Sequence, residues 1–202
     1  KANPVPMSEW VKHFTELLNG AFAPDRALNT HIEDYIAENR EKIFNELDFT
    51  ISIREVNEAI CDMKLNKAAG VDGLLNEMLK AGSSVLLPYL HKLFNAIFTS
   101  GNFPNLWRTN TLSPLHKKGD THTPGNYRGI AVSTCISKLF LSILQKRLCE
   151  YAYGNDLIPD CQLGYKKKAS TADHILTLKN LIDKYILRAS RSYLFACFVD
   201  FK

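Results

Sequence analysis

The chain has 202 residues, 46% of them apolar and 23% charged, the balance of an ordinary globular protein. No apolar run approaches the ~20 residues that a membrane-spanning helix needs, and the opening KANPVPMSEW lacks the apolar core and cleavage site of a signal peptide. The net charge of +4 is unevenly spread: residues 1–60 hold eleven acids and six bases, residues 61–202 ten acids and nineteen bases. That split points either to a polyanionic partner for the second part or to a solvated basic surface.

Five cysteines (Cys61, Cys135, Cys149, Cys161, Cys197) are odd in number and widely spaced, with no Cys-x-x-Cys and no histidine at ligand spacing. They are expected as reduced thiols of an intracellular protein, not as zinc ligands.

In chain order, Trp10, Phe14, Leu17 and Leu18 recur at helical spacing, and Gly20 with Pro24 ends that helix. Residues 25–50 are polar, with Ile43, Phe44 and Leu47 as candidates to dock onto a larger body. Ser52 and Glu55 have the spacing of a capping box, and Val56, Ile60 and Met63 give the following helix one apolar face. NKAAGVDG is a loop with glycines at 70 and 73. The next helix is expected near residues 85–98, with Leu86, Leu90, Leu93, Phe94 and Ile97 on one side and Gly101 closing it. It requires Pro88 to lie in the first turn.

RTNTLSPLHKKGDTHTPGNYRGIAV reads as two short strands about a polar tip, a hairpin. A helix over about residues 134–148 carries Ile136, Leu139, Phe140, Ile143, Leu144 and Leu148 in register. NDLIPDCQLGYKKKAS is a loop, after which Ser170 and Asp173 open a helix bearing Ile175, Leu178, Ile182 and Tyr185. The apolar run over residues 193–199 is expected as a strand buried on both faces. The fold class is therefore α+β, helices packed against a small sheet.

Three features could carry chemistry. Lys117, Lys118 and Arg128 fall within twelve residues of the hairpin, where they either clamp a polyphosphate or simply keep a polar tip soluble. In GYKKKAS, three lysines beside Tyr165 suit a nucleic-acid backbone and a stacked base, or form a solvated charge run. Asp200, at the end of the last apolar run, is either a metal ligand or an ordinary strand-ending acid. One carboxylate cannot hold two hard cations, and no second acid lies near it in sequence.

Taken in order, NKAAGVDGLLNEMLK, LSPLHKKGD, NYRGIAV, SKLF, QKRL, QLGYKKKASTAD and FVDFK resemble the reverse transcriptase of non-LTR (LINE-type) retrotransposons. The resemblance covers roughly residues 50–202, and SEWVKHFTELLNG resembles the segment preceding the polymerase. It implies a right-hand polymerase: a helical lead-in over residues 1–50, then fingers and the first part of the palm over residues 51–202. It implies that Asp200 is the first catalytic, metal-binding aspartate. It also implies that Lys117, Lys118 and Arg128 meet the triphosphate of the incoming nucleotide, with the order of the two lysines open. Lys67, Gly70, Asn126, Gln162, Gly164, Tyr165, Lys166, Lys167 and Lys168 fall where the family holds template.

The cofactor so implied is Mg²⁺, two ions in a complete site. The partners are an RNA template, a DNA primer, deoxynucleoside triphosphates and the rest of the polymerase chain (palm and thumb), with no membrane. Nucleus and cytoplasm are the implied compartments. Val71 stands where proline is usual, Gly129 where many relatives have proline, and Lys168 and Ala169 where a glycine and an arginine are common. The sequence contains no aromatic-x-Asp-Asp turn to complete the metal site. The expectation is thus an RNA-directed DNA polymerase fragment that does not catalyse alone. The alternatives are a non-catalytic nucleic-acid-binding remnant or co-opted fingers module, and an unstable product whose apolar strand aggregates.

Overall fold

The computed structural model describes residues 4–19, 26–159, 161–166, 169–187 and 193–199. Its elements are α1 (Met7–Leu18), α2 (Arg26–Asn39), α3 (Ile53–Asp62), α4 (Asn76–Ala81), α5 (Ser83–Ser100), α6 (Asn105–Arg108), β1 (Thr111–His116), β2 (Tyr127–Val132), α7 (Cys135–Gly154) and α8 (Thr171–Ile182). A turn of 3₁₀ helix precedes β2, and a π turn follows α8. The mixture of helices and a small sheet is α+β. The chain divides into two compact units, Lys1–Tyr151 and Ala152–Lys202.

The first unit is built on α3, α5 and α7. Their apolar stripes bury Ile51, Val56, Ile60, Leu90, Phe94, Ile97, Leu139, Phe140 and Ile143, with Trp107 of α6, in one cluster. Burial of each large apolar side chain contributes about 1.5–3 kcal/mol. α3 begins as its sequence predicts: the Glu55 N–H donates to Ser52 Oγ (3.2 Å) and the Ser52 N–H to Glu55 (2.8 Å), a complete capping box. Asn95 of α5 holds both backbone groups of Ile51, accepting from its N–H and donating to its carbonyl, each at 2.8 Å.

α5 starts at Ser83, so Pro88 lies at its sixth position and not in the first turn. The helical bond to the Ser84 carbonyl cannot form there. The helix persists because Leu86, Leu87, Leu90, Phe94 and Ile97 on the surrounding turns are packed into the core. It ends at Gly101, whose φ of +68° is one that other residues rarely adopt.

Arg147 of α7 is buried inside this unit. Its Nε and Nη2 donate to the two oxygens of Glu55 at 2.7 and 2.9 Å. Nη1 donates to the carbonyls of Leu47 (3.1 Å) and Phe49 (2.7 Å), and Nη2 also to Thr50 (3.1 Å). The guanidinium lies 3.8 Å from the Phe49 ring centroid. Burial works to raise the Glu55 pKa, but hydrogen bonds from Arg147 and Ser52 bring the carboxyl down to about 2.

α1 and the hairpin make a second, smaller cluster from Val5, Trp10 and Phe14, with Tyr127 packed against it. Leu17 and Leu18 are exposed, so only half of the expected stripe of α1 is buried. Of the docking candidates, Phe44 meets the Tyr151 ring edge-on, whereas Ile43 stays exposed.

The second unit contains the end of α7, a loop and α8. Ser170 opens α8 with its N–H donating to Asp173 at 2.6 Å, as the spacing predicts. The expected strand over residues 193–199 is not formed: the segment has no ladder partner and Phe195 is 90% exposed. A strand buried on both faces needs a neighbour on each side, and the sheet among the described residues consists of β1 and β2 alone.

Arg147→Ala would strand the Glu55 carboxylate and three carbonyls, and it should cost about 3–5 kcal/mol in urea unfolding. Because the Glu55 pKa is lowered in the folded state, its stabilisation is present above the ordinary value of 4.5 and lost as pH falls toward about 2. Acid titration of unfolding should show this loss in the native chain and much less of it in Arg147→Ala.

Candidate nucleic-acid interface

β1 and β2 pair antiparallel with Leu115 opposite Arg128 and His116 opposite Tyr127. The pairing continues one step past the strands, where the Lys117 N–H donates to the Asn126 carbonyl at 2.8 Å. Side chains alternate across a hairpin, and directly opposed residues share a face. One face therefore carries Leu112, Pro114, His116, Tyr127 and Gly129, and the other carries Ser113, Leu115, Lys117, Arg128 and Ile130.

α1 covers the first face. Trp10 meets the Tyr127 ring edge-on at 4.8 Å between centroids and stacks with Phe14 at 5.8 Å. A Cβ on Gly129 would lie 2.6 Å from the Phe14 ring. Glycine stands at 129 because an aromatic ring occupies the space a side chain would need. Lys117 and Arg128 are exposed on the opposite face, and among the described residues neither is paired with a carboxylate. Lys118 falls at the start of the tip, out of this alternation.

The tip is internally bonded. The Asp120 carboxylate accepts from the His122 N–H (3.1 Å), which, with the His122 ring, holds its pKa below the usual carboxylate range. The Asn126 side-chain amide donates to the Asp120 carbonyl at 2.9 Å, and the Tyr127 hydroxyl to the Thr121 carbonyl at 2.9 Å. Gly119 has φ +85°, and a Cβ there would lie 2.8 Å from Asn126 Nδ2. Asn126, expected at template, thus spends its amide within the tip.

The loop carrying Lys67 and Gly70 is fastened to the root of β2. A Cβ on Gly70 would lie 2.7 Å from the Ser133 carbonyl oxygen and from the Thr134 N and Cα. The buried Cys135 thiol donates to the Leu74 carbonyl at 2.9 Å, and burial pushes its pKa up, keeping the proton that the bond needs. Asn76 Nδ2 holds the Lys64 carbonyl at 2.7 Å, and the Glu77 carboxylate holds the Asn66 N–H. Gly70 is therefore explained by a close backbone, while Lys67 and Val71 are exposed.

In the second unit, Gln162 and Gly164 lie in the loop before α8, and Tyr165 is fully exposed on a left-handed backbone, φ 61°. The Lys166 ammonium lies 5.9 Å from the Tyr153 ring centroid. Lys167, Lys168 and Asp200 lie outside the described residues. Among the described residues, no group of three or more His, Cys, Asp or Glu is placed to hold a metal ion, and no helix is long and apolar enough to cross a membrane.

Sequence reasoning missed Arg147, Thr134 and Cys135. Arg147 and Cys135 act on residues far away in the chain and belong to no local pattern, whereas Thr134 bonds Ser137 three residues on. Gly129 carried a signal that was legible only in hindsight: glycine inside a strand marks a close approach.

Gly129→Ala should destabilise the chain by about 1–3 kcal/mol through overpacking. In a Phe14→Ala background the same change should cost less than about 0.5 kcal/mol, a coupling that a double-mutant cycle in urea would read.

No family model matches the chain. It is 31% identical over 153 residues to a probable RNA-directed DNA polymerase from transposon BS of Drosophila melanogaster, covering 74% of the chain and 16% of that protein. A probable RNA-directed DNA polymerase from transposon X-element of the same fly is 30% identical over 151 residues, 73% of the chain and 16% of the relative. The RNA-directed DNA polymerase from its mobile element jockey is 25% identical over 182 residues, 89% of the chain and 19% of the relative. The match thus spans less than a fifth of each relative's length. The chain belongs to the reverse transcriptases of non-LTR retrotransposons.

Proposed function

We propose that this chain serves as the fingers, with the start of the palm, of an RNA-directed DNA polymerase, and that its hairpin grips the triphosphate of an incoming deoxynucleotide. The observation that carries this reading is the register. Lys117 and Arg128 share the one face of the hairpin that α1 leaves exposed. A guanidinium can take two phosphate oxygens while an ammonium supplies a point charge, and a bonded tip holds them at fixed spacing. The register favours Lys117 as the leading lysine, because it shares the Arg128 face while Lys118 falls outside the alternation. RNA template, DNA primer and deoxynucleoside triphosphates are the partners of this reading, and nucleus and cytoplasm its compartments.

Mg²⁺ is the cofactor that the chemistry of the family implies. Asp200 is the one acid of this sequence that the resemblance assigns to it, and one carboxylate does not hold two hard cations.

Calorimetric titration with a deoxynucleoside triphosphate tests the grip. Lys117→Ala and Arg128→Ala should each weaken binding about tenfold, as expected for a lost charge-assisted hydrogen bond, and Lys118→Ala clearly less. Equal effects of the two lysines, or no binding, would contradict the assignment.

A second observation favours nucleic-acid binding by the second unit. An exposed tyrosine held at positive φ beside lysines is a strained presentation of a ring, suited to stacking on a base. Single-stranded RNA affinity should fall with salt and drop about tenfold in Tyr165→Ala. Alanine at Lys166, Lys167 and Lys168 together should flatten the salt dependence, as read by fluorescence anisotropy.

A further inference from the structure

The fold does not cover α2. Every side chain over residues 29–38 is exposed. Ile32, Tyr35 and Ile36, spaced i, i+3 and i+4, form one apolar face, and they are 44%, 61% and 59% exposed. The helix has 14 residues, and its centre, NTHIEDYI, is made largely of residues with weak helical preference. Isolated helices of that length are marginal in water even when alanine-rich, and in proteins most of their stability comes from packing an apolar face. The segment that follows α2 is anchored. Phe44 meets the Tyr151 ring edge-on, and the Leu47 carbonyl accepts from Arg147 at 3.1 Å. The first unit thus fastens α2 beyond its C-terminal end and leaves its apolar face uncovered.

We infer that α2 is a docking helix for a protein partner, and that the partner presents an amphipathic helix rimmed with lysine or arginine. The charge around the face selects this occupant. At 100° per residue, Glu33 and Glu38 fall roughly 100–120° to either side of the apolar centre, so an acid flanks the face on each side. Residues 26–48 hold six acids and three bases. A phosphate backbone is repelled by such a surface, which sets α2 apart from the basic hairpin and the lysine-rich loop. A second copy of α2 would bring Glu33 and Glu38 against like charges. A basic rim instead places a cation beside each acid, while the partner's apolar side chains cover Ile32, Tyr35 and Ile36. The apolar contact supplies affinity, and the rim selects the partner. The inference stands apart from the triphosphate reading, since it concerns another surface of the first unit and no nucleotide.

The test uses the 202-residue chain and two synthetic amphipathic helices that share a leucine face, one rimmed by lysine and the other by glutamate. In the chain alone, hydrogen–deuterium exchange over residues 26–39 should be fast, and a saturating lysine-rimmed peptide should slow it there. Calorimetry should show the lysine-rimmed peptide binding at least about tenfold tighter than the glutamate-rimmed one, a gap that narrows at high salt. Ile32→Ala with Ile36→Ala should weaken that binding about tenfold or more. Thermal melting of the chain should not change, since both side chains are exposed. Glu33→Lys with Glu38→Lys should reverse the preference between the two peptides. Absence of binding by either peptide overturns the inference, and so does equal binding of both. Protection of residues 26–39 by single-stranded RNA overturns it as well, as does protection by the chain's own association at rising concentration without peptide.

Discussion

Arg147 is the interaction on which the larger unit depends. A guanidinium has five N–H donors, and here every one has an acceptor: two on Glu55 and three on the carbonyls of Leu47, Phe49 and Thr50. One side chain of α7 therefore fixes the start of α3 and gives hydrogen-bond partners to an irregular segment that has no ladder of its own. Glu55 serves twice, since it also closes the capping box of α3. A lysine could not replace Arg147, because a point charge cannot fill a planar fork of acceptors. The desolvation cost of burying the pair is offset only because its donors are all satisfied.

This framework sets the position of α7, and α7 sets the root of the hairpin. Thr134 and Cys135, at the head of that helix, receive β2 on one side and the 64–75 loop on the other. The hairpin projects from there with its own small apolar support, α1, in place of the main core. That arrangement leaves one hairpin face uncovered and cationic. A strand pair packed on both faces could not offer Lys117 and Arg128 to a ligand. Gly129 is what allows the Phe14 ring to lie so close on the covered side.

Local patterns in the sequence foretold local structure well. Both capping boxes and the hairpin with its polar tip are formed as expected, and the 3.6-residue stripes of α3, α5 and α7 are buried or half-buried except for Leu93 and Leu148, which are exposed. The misreadings have a common cause, which is that tertiary contacts decided them. Pro88 is tolerated in the second turn of α5 because the core holds the flanking residues. The run over residues 193–199 has strand composition but no neighbours to pair with, and composition cannot supply them. Of the candidate site, the basic hairpin was legible, but that Lys117 and not Lys118 shares the Arg128 face needed the register. Asn126 and Gly70, expected at template, also have places within the fold, one bonding the hairpin tip and the other admitting a backbone. Arg147 sat in plain sight in QKRL, with no pattern to mark it as buried.

The central claim is that the uncovered face of the hairpin is a triphosphate site. Hydrogen–deuterium exchange of the chain, with and without a saturating deoxynucleoside triphosphate, tests it most directly. Slower exchange in peptides spanning β1, the tip and β2, residues 111–132, is the result this account predicts. Unchanged exchange there, with protection confined to the lysine-rich loop before α8, would contradict it.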